Sequence, residues 1–356
     1  MTAGQSLGDG AAGIALLHLE TGDWPAAYAA LEQAVAGGVS VAEPASLYYG
    51  APALAFVLAG TDRPGLARAT ATAAAGTATL TRRRLEAAHR RIDQHQRPPY
   101  AEYDLIRGLT GLGVALRRTG DLDLLRDVLT YLVRLTNPID GLPGWWCSHG
   151  PHRDQPVPGG HGNHGVAHGI TGPLALLALT LIDGVTVDGH AGAISRICRW
   201  LDTWERQTSA GSWWPEFVTL DDVDQGEPRQ PGPLRPSWCY GTPGIARAQQ
   251  LAAHALDDAA RQRNAEAAFT GCVSDPAQVG RLLDRGLCHG TAGLLTAARR
   301  ITADALTPIP LGPLARLHQQ TTAAANEPSG FLTGAAGAEL AAAGTTTSWD
   351  ACLLLC

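Results

Sequence analysis

A small-residue turn of the form G-x-x-G, followed each time by an apolar run, recurs along this chain, and no other feature limits its fold as strongly. It stands at Gly10–Gly13, Gly108–Gly111, Gly169–Gly172, Gly241–Gly244, Gly290–Gly293 and Gly334–Gly337. A degenerate copy, Gly50–Ala53, carries alanine in place of its last glycine and brings the total to seven. Spacings run from 40 residues (Gly10 to Gly50) to 72 (Gly169 to Gly241). Two helices of about 11–12 residues with their connections fit within even the shortest interval.

The runs after the turns, such as GIALLHL, GPLALLALTLID and GIARAQQLAAHAL, are rich in Ala and Leu, which favour helix strongly. A second, more amphipathic helix follows most of them. In DWPAAYAALEQAVAGG, Asp23 is placed to cap and Pro25 falls in the first turn. DLDLLRDVLTYLVRL and AGAISRICRWLDTWERQ repeat apolar residues at helical spacing. No period-two pattern reads as a strand or hairpin. Each repeat is therefore a helical hairpin. The hairpins can stack into an open solenoid or close into a ring of inner and outer helices. Helices that are apolar nearly all round require burial on every side and favour the ring. Two stretches, 142–165 and 208–238, are long, rich in Pro, Gly and Trp, and aperiodic; such loops are often functional. The segment from Thr61 to Pro99 reads as a solvated, basic outer helix.

The remaining composition excludes several classes. With 45% hydrophobic and 17% charged residues, the 356-residue chain is an ordinary globular sequence. A net charge of -6 argues against a nucleic-acid surface. The longest apolar stretch, Gly172 to Ile182, is too short to span a bilayer, so no membrane insertion is expected. The first residues, MTAGQSLGDGAAG, lack the basic and apolar regions of a signal peptide, and a cytoplasmic location follows by default. Seven cysteines, an odd number in a long chain, point to metal binding or buried thiols rather than a disulfide framework.

Chemistry-bearing residues sit at the turns themselves. Cys239 leads into the fifth repeat (Trp238-Cys239-Tyr240-Gly241), Cys288 and His289 into the sixth, and His168 into the fourth. Equivalent positions of repeated hairpins point to one end of a ring, so residues distant in sequence converge. Two thiolates and an imidazole suit Zn²⁺ and leave its fourth tetrahedral position open. The bland reading is two buried small hydrophobes and a helix cap; two such turns in adjacent repeats favour one zinc per chain. A donor set this rich in sulfur suits thiol activation better than hydrolysis. A second cluster, Cys147, His149 and His152, lies in a loop, not at a turn, and is read as facing solvent or a substrate cleft. Trp145, Trp146, Trp213 and Trp214 either wall a peptide groove or pack beneath the loops.

The chain resembles the lanthionine synthetase C-like peptide cyclases over essentially its whole length. The resemblance rests on the seven turns and on four motifs, N-x-G-x-A-H-G (Asn163 to Gly169), W-C-Y-G, C-H-G and the Ser348-Trp349-Asp350 triplet. It implies an all-α fold, an (α/α) toroid of seven inner and seven outer helices forming a single domain over 1–356. It also implies one zinc held by Cys239, Cys288 and His289. The implied reaction is Michael-type addition of peptide cysteine thiols to dehydroalanine or dehydrobutyrine, giving lanthionine or methyllanthionine thioether rings.

Further family positions match Asp104, His168, Arg235 and Tyr240. His168 suits proton transfer, and Asp104 would orient it or take a proton itself, unless it merely caps a helix. Arg235 or Tyr240 would stabilise the enolate, unless the arginine simply pairs with a carboxylate and the tyrosine only packs. His161 and His164 read as loop or supporting residues. The implied partner is a dehydrated precursor peptide, leader plus core, supplied by a separate dehydratase and passed to an exporter. The family's inserted β-rich domain, present in some members, has no clear counterpart. Two other readings remain. One is a prenyltransferase-like toroid, disfavoured by the Cys-Cys-His set and only four Phe residues. The other is a non-catalytic zinc or peptide-binding scaffold.

Overall fold

The computed structural model describes residues 3–151, 157–345 and 347–356. Helix α1 (Ala11–Thr21) is followed by α2 (Trp24–Val35), and α3 (Ala51–Leu58) by α4 (Ala67–Asp93). A single turn, α5 (Tyr100–Tyr103), leads to α6 (Leu109–Thr119) and α7 (Leu122–Leu135). Next come strand β1 (His161–Asn163) and the pair α8 (Thr171–Ile182) and α9 (His190–Trp204). Strands β2 (Arg206–Thr208), β3 (Gly211–Trp213) and β4 (Phe217–Thr219) and the short α10 (Leu220–Gln225) precede α11 (Thr242–Leu256) and α12 (Ala259–Ser274). The chain continues through α13 (Pro276–Val279), α14 (Thr291–Ala303), α15 (Gly312–Gln320) and α16 (Ala335–Ala343) to a 3₁₀ turn, Trp349–Leu353.

All seven small-residue turns start a helix: α1, α3, α6, α8, α11, α14 and α16. Each of these packs on the next, and α16 returns to α1, so the ring closes. Closure explains their composition. Thr171 to Thr180 of α8 are buried without interruption, because neighbours in the ring, an outer helix and the ring's interior leave no face for water. The second glycine of each turn answers a close approach. A β-carbon on Gly244 would lie 2.0 Å from the Trp238 carbonyl oxygen, and one on Gly293 1.9 Å from that of Leu287. The same carbonyl, six residues upstream, crowds Gly13, Gly111 and Gly337.

The amphipathic helices α2, α4, α7, α9, α12 and α15 pack outside their partners. Asp23 caps α2 by accepting from the Ala26 amide, with Pro25 in the first turn. Two expectations need correction here. The described residues supply six outer helices, not seven; after α16 the chain turns into the buried 3₁₀ segment. Helix α4 is also more than a solvated surface. Its inner stripe, including Ala73, Thr77, Leu80, Leu85 and Ala88, is buried, and Arg91 bonds Glu102 at 2.8 Å, which Tyr131 also bonds at 2.7 Å.

Strands also form where none was expected. β1 pairs antiparallel with β4, joining the two long aperiodic loops, and β2 pairs with β3. Three residues are too few to show a period-two pattern. Among the described residues, no helix is long and apolar enough to cross a membrane.

Candidate metal centre and active site

The turns at the starts of the inner helices form one rim, stitched by backbone hydrogen bonds from repeat to repeat. The Leu105 amide donates to the Ala167 carbonyl, and Val166 to Cys239. Cys239 donates to Cys288, Cys288 to Leu332, and Leu332 to Gly8. The Leu7 amide donates to Tyr48. The predicted site residues converge because each lies within six residues before the first glycine of a turn on this belt.

Cys239, Cys288 and His289 come together as expected, their donor atoms all within 4.8 Å of one another. Bonds of about 2.3 Å to sulfur and 2.0–2.1 Å to nitrogen bring donors around a tetrahedral zinc within about 4 Å of each other. Small side-chain adjustments therefore suffice for this triad to hold the ion. Among the described residues it is the only such group of three. The Cys288 thiol bonds to Cys239, and that bond, with further help from His289, holds Cys239 well below the ordinary thiol range. The same bond and burial hold Cys288 above it, while the bond to Cys239 raises His289. Asp284 Oδ2 lies 3.4 Å from His289 Nε2, as a carboxylate often does behind a metal-binding histidine.

On the neighbouring turns, His168 Nδ1 bonds Asp104 Oδ2 at 2.7 Å. Asp104 is fully buried, and its other oxygen accepts the amides of Arg107 (2.6 Å) and Gly108 (2.7 Å). It therefore organises the turn before α6 and grips the histidine, while the N-cap of α6 is Gly108, not Asp104. The bond fixes the ring through Nδ1, and Nε2 has no hydrogen-bond partner among the described residues. The His168 ring sits between Tyr100, with centroids 5.4 Å apart, and Tyr240, at 6.4 Å. The Tyr240 hydroxyl accepts from Asn163 Nδ2 at 3.2 Å, and burial pushes its pKa up. Arg235 is exposed at the rim, and its charge opposes, without reversing, the upward shifts of Cys288 and His289.

Other expectations shift. The Cys147 thiol faces neither solvent nor cleft; it is buried 3.7 Å from the Tyr103 hydroxyl, and burial pushes it up to about 12. His149 is exposed, and His152 lies outside the described residues. Trp145, Trp146, Trp213 and Trp214 are all buried, so they pack beneath the loops rather than wall a groove. Trp200 meets both Trp145 and Trp146 edge-on. His164 is a supporting residue: its Nδ1 bonds the Pro215 carbonyl, and its Nε2 accepts from the Trp200 indole. His161 lies on strand β1 rather than in a loop, bonded through Nδ1 to the His149 carbonyl. The roles of Tyr100 and Asp284 had no signal in the sequence, since neither stands in a repeated motif.

A closed ring of helical hairpins with a cysteine-rich donor triad and a histidine–aspartate pair on one rim defines an α/α toroid with a candidate metal centre. The family model described as lanthionine synthetase C-like protein matches residues 2–342, and the chain belongs to that family. It is similar to the nisin biosynthesis protein NisC of Lactococcus lactis subsp. lactis, 26% identical over 206 residues. That alignment covers 56% of this chain and 48% of NisC, so the chain spans about half the length of that curated relative. Among solved structures, a nisin cyclase superposes with a TM-score of 0.85 at 21% identity, covering 100% of this chain and 93% of that one. At that identity the likeness speaks for the fold.

Proposed function

We propose that this chain is a zinc-dependent lanthipeptide cyclase, a single toroidal unit over 1–356 acting on a dehydrated precursor peptide. The observation that carries the reading is the triad of Cys239, Cys288 and His289, within 4.8 Å, beside the His168–Asp104 pair. Cys239, Cys288 and His289 would hold one zinc. Bound there, zinc lowers the pKa of an incoming thiol so that the nucleophilic thiolate forms near neutral pH.

The substrate cysteine loses its thiol proton, and its sulfur bonds to Cβ of a dehydroalanine or dehydrobutyrine. The Cα–Cβ π electrons move onto the carbonyl as an enolate, which collapses when Cα takes a proton. Atoms balance, and the product is an isomer of the substrate. His168 Nε2 exchanges the proton, with Asp104 holding the ring and offsetting its positive charge when protonated. Arg235 or Tyr240 would stabilise the developing enolate. A separate dehydratase would supply the substrate, and an exporter would take the product.

The test is a synthetic peptide carrying one cysteine and one dehydroalanine. Wild-type protein should consume the free thiol without changing the peptide mass. His168→Ala and Cys288→Ala should each slow that loss by about 100-fold or more. Unchanged rates in both variants would rule the assignment out.

A further inference from the structure

The segment Trp349–Cys356, beyond the family match, runs through the ring's interior with Cys352, Leu353, Leu354 and Leu355 buried. Its far end is held by Arg247, whose Nε donates to the Leu355 carbonyl at 2.9 Å, and by Arg117, which bonds the Cys356 carbonyl at 2.8 Å. Arg300 grips Asp350 through two bonds, of 2.5 and 2.7 Å. Its near end meets the rim. The Trp238 indole N–H donates to the Leu353 carbonyl at 2.8 Å, and the Tyr48 hydroxyl to the Cys352 carbonyl at 2.8 Å. Trp349 packs edge-on against Phe331, with centroids 5.7 Å apart.

Each rim contact reaches the belt that carries the metal centre. Trp238 is joined by its peptide bond to Cys239. Phe331 precedes Leu332, whose carbonyl accepts the Cys288 amide at 2.8 Å. Tyr48 stands on the same belt, its carbonyl accepting the Leu7 amide beside Gly8, whose carbonyl accepts the Leu332 amide. Metal donors must be held to a fraction of an ångström. The rim belt fixes Cys239 and Cys288 along the ring but not against displacement into its interior.

We propose that Trp349–Cys356 is a positioning element for the metal centre, and that Trp238 and Tyr48 are the positioning residues through which it acts. The segment backs the turns that carry Cys239 and Cys288 and sets the depth of both sulfurs in the rim. This rests on the reading of Cys239, Cys288 and His289 as zinc ligands.

The test uses the full chain and the metal alone. Zinc affinity is read by competition with a chromophoric chelator, and ligand geometry by the absorption spectrum of the Co²⁺-loaded protein. Trp238→Phe and Tyr48→Phe each keep the ring and remove one donor. Each should weaken zinc binding by about 10-fold or more and alter the cobalt bands, with helical circular dichroism unchanged. Arg117→Gln, which removes the bond to the Cys356 carbonyl and the Asp183 ion pair but no rim contact, should lower the melting temperature while zinc affinity stays within about two-fold of wild type. If both donor variants keep wild-type affinity and cobalt spectrum, the segment is packing alone and the proposal is wrong. If Trp238→Phe does not fold, Tyr48→Phe decides by the same readings. A wild-type protein that binds no zinc overturns the metal-centre reading and this inference with it, a result distinct from unaffected variants.

Discussion

His168 shows how little of a residue's task lies in its own chemistry. An imidazole serves as acid or base anywhere, but here Asp104 occupies Nδ1, and two tyrosine rings limit how the ring can turn. His164, four residues earlier in the same motif, has the opposite fate. It is fully buried, and burial pushes its pKa down from the ordinary 6.5 to about 4. The unfolded chain therefore binds its proton before the folded one does. Above pH 6.5 both states are neutral and nothing is lost; as pH falls from 6.5 to 4, stability drains by about 3 kcal/mol. Denaturant unfolding followed from pH 7 to pH 4 should show this slope in the wild type and a flatter one in His164→Gln. The motif N-x-G-x-A-H-G specifies the histidine at 168 and leaves position 164 open, but it does not encode how deeply either is buried. The difference is set by Trp200 and Pro215, which reach His164 from distant parts of the chain.

Among the elements, the glycine turns were the most legible feature, because their constraint is local. Each second glycine meets a carbonyl six residues upstream in the same turn, so the sequence alone carries the geometry. Gly293→Ala should therefore cost about 1–3 kcal/mol, by forcing a methyl against the Leu287 carbonyl. Gly192, exposed in the first turn of outer helix α9, makes the contrast. A β-carbon there would meet only the Arg196 guanidinium, at 3.5 Å. Gly192→Ala should stabilise the protein by about 0.5–1 kcal/mol. Thermal melts of the two variants with opposite shifts would support this account; equal shifts would contradict it. The short strands and the inward 3₁₀ turn left no such mark, since partners far along the chain decide both.

Across the whole molecule, closure of the ring makes separate turns into one site. Cys239 and Cys288 belong to adjacent hairpins, so a cation between them would add a tie at the rim to two units already joined by packing, backbone bonds and the Arg247–Asp304 ion pair. Zinc at about 1,000 times its dissociation constant should then stabilise the folded chain by about 4 kcal/mol. The melting temperature should fall on adding chelator and recover with zinc, while Cys288→Ala should show no response. A wild-type melting temperature indifferent to chelator would contradict the metal centre.

The repeat, the helical hairpins, the sulfur-rich donor set and the placing of each chemical residue at a turn were determined by the sequence, because each follows from neighbours within a few residues. Tertiary structure decided that Cys147 and four tryptophans lie in the core, that two long loops pair as strands, and that Trp349–Cys356 fills the ring behind the cysteines. Those outcomes depend on which surfaces remain uncovered once seven inner helices have closed on themselves. No local pattern of residues encodes that remainder.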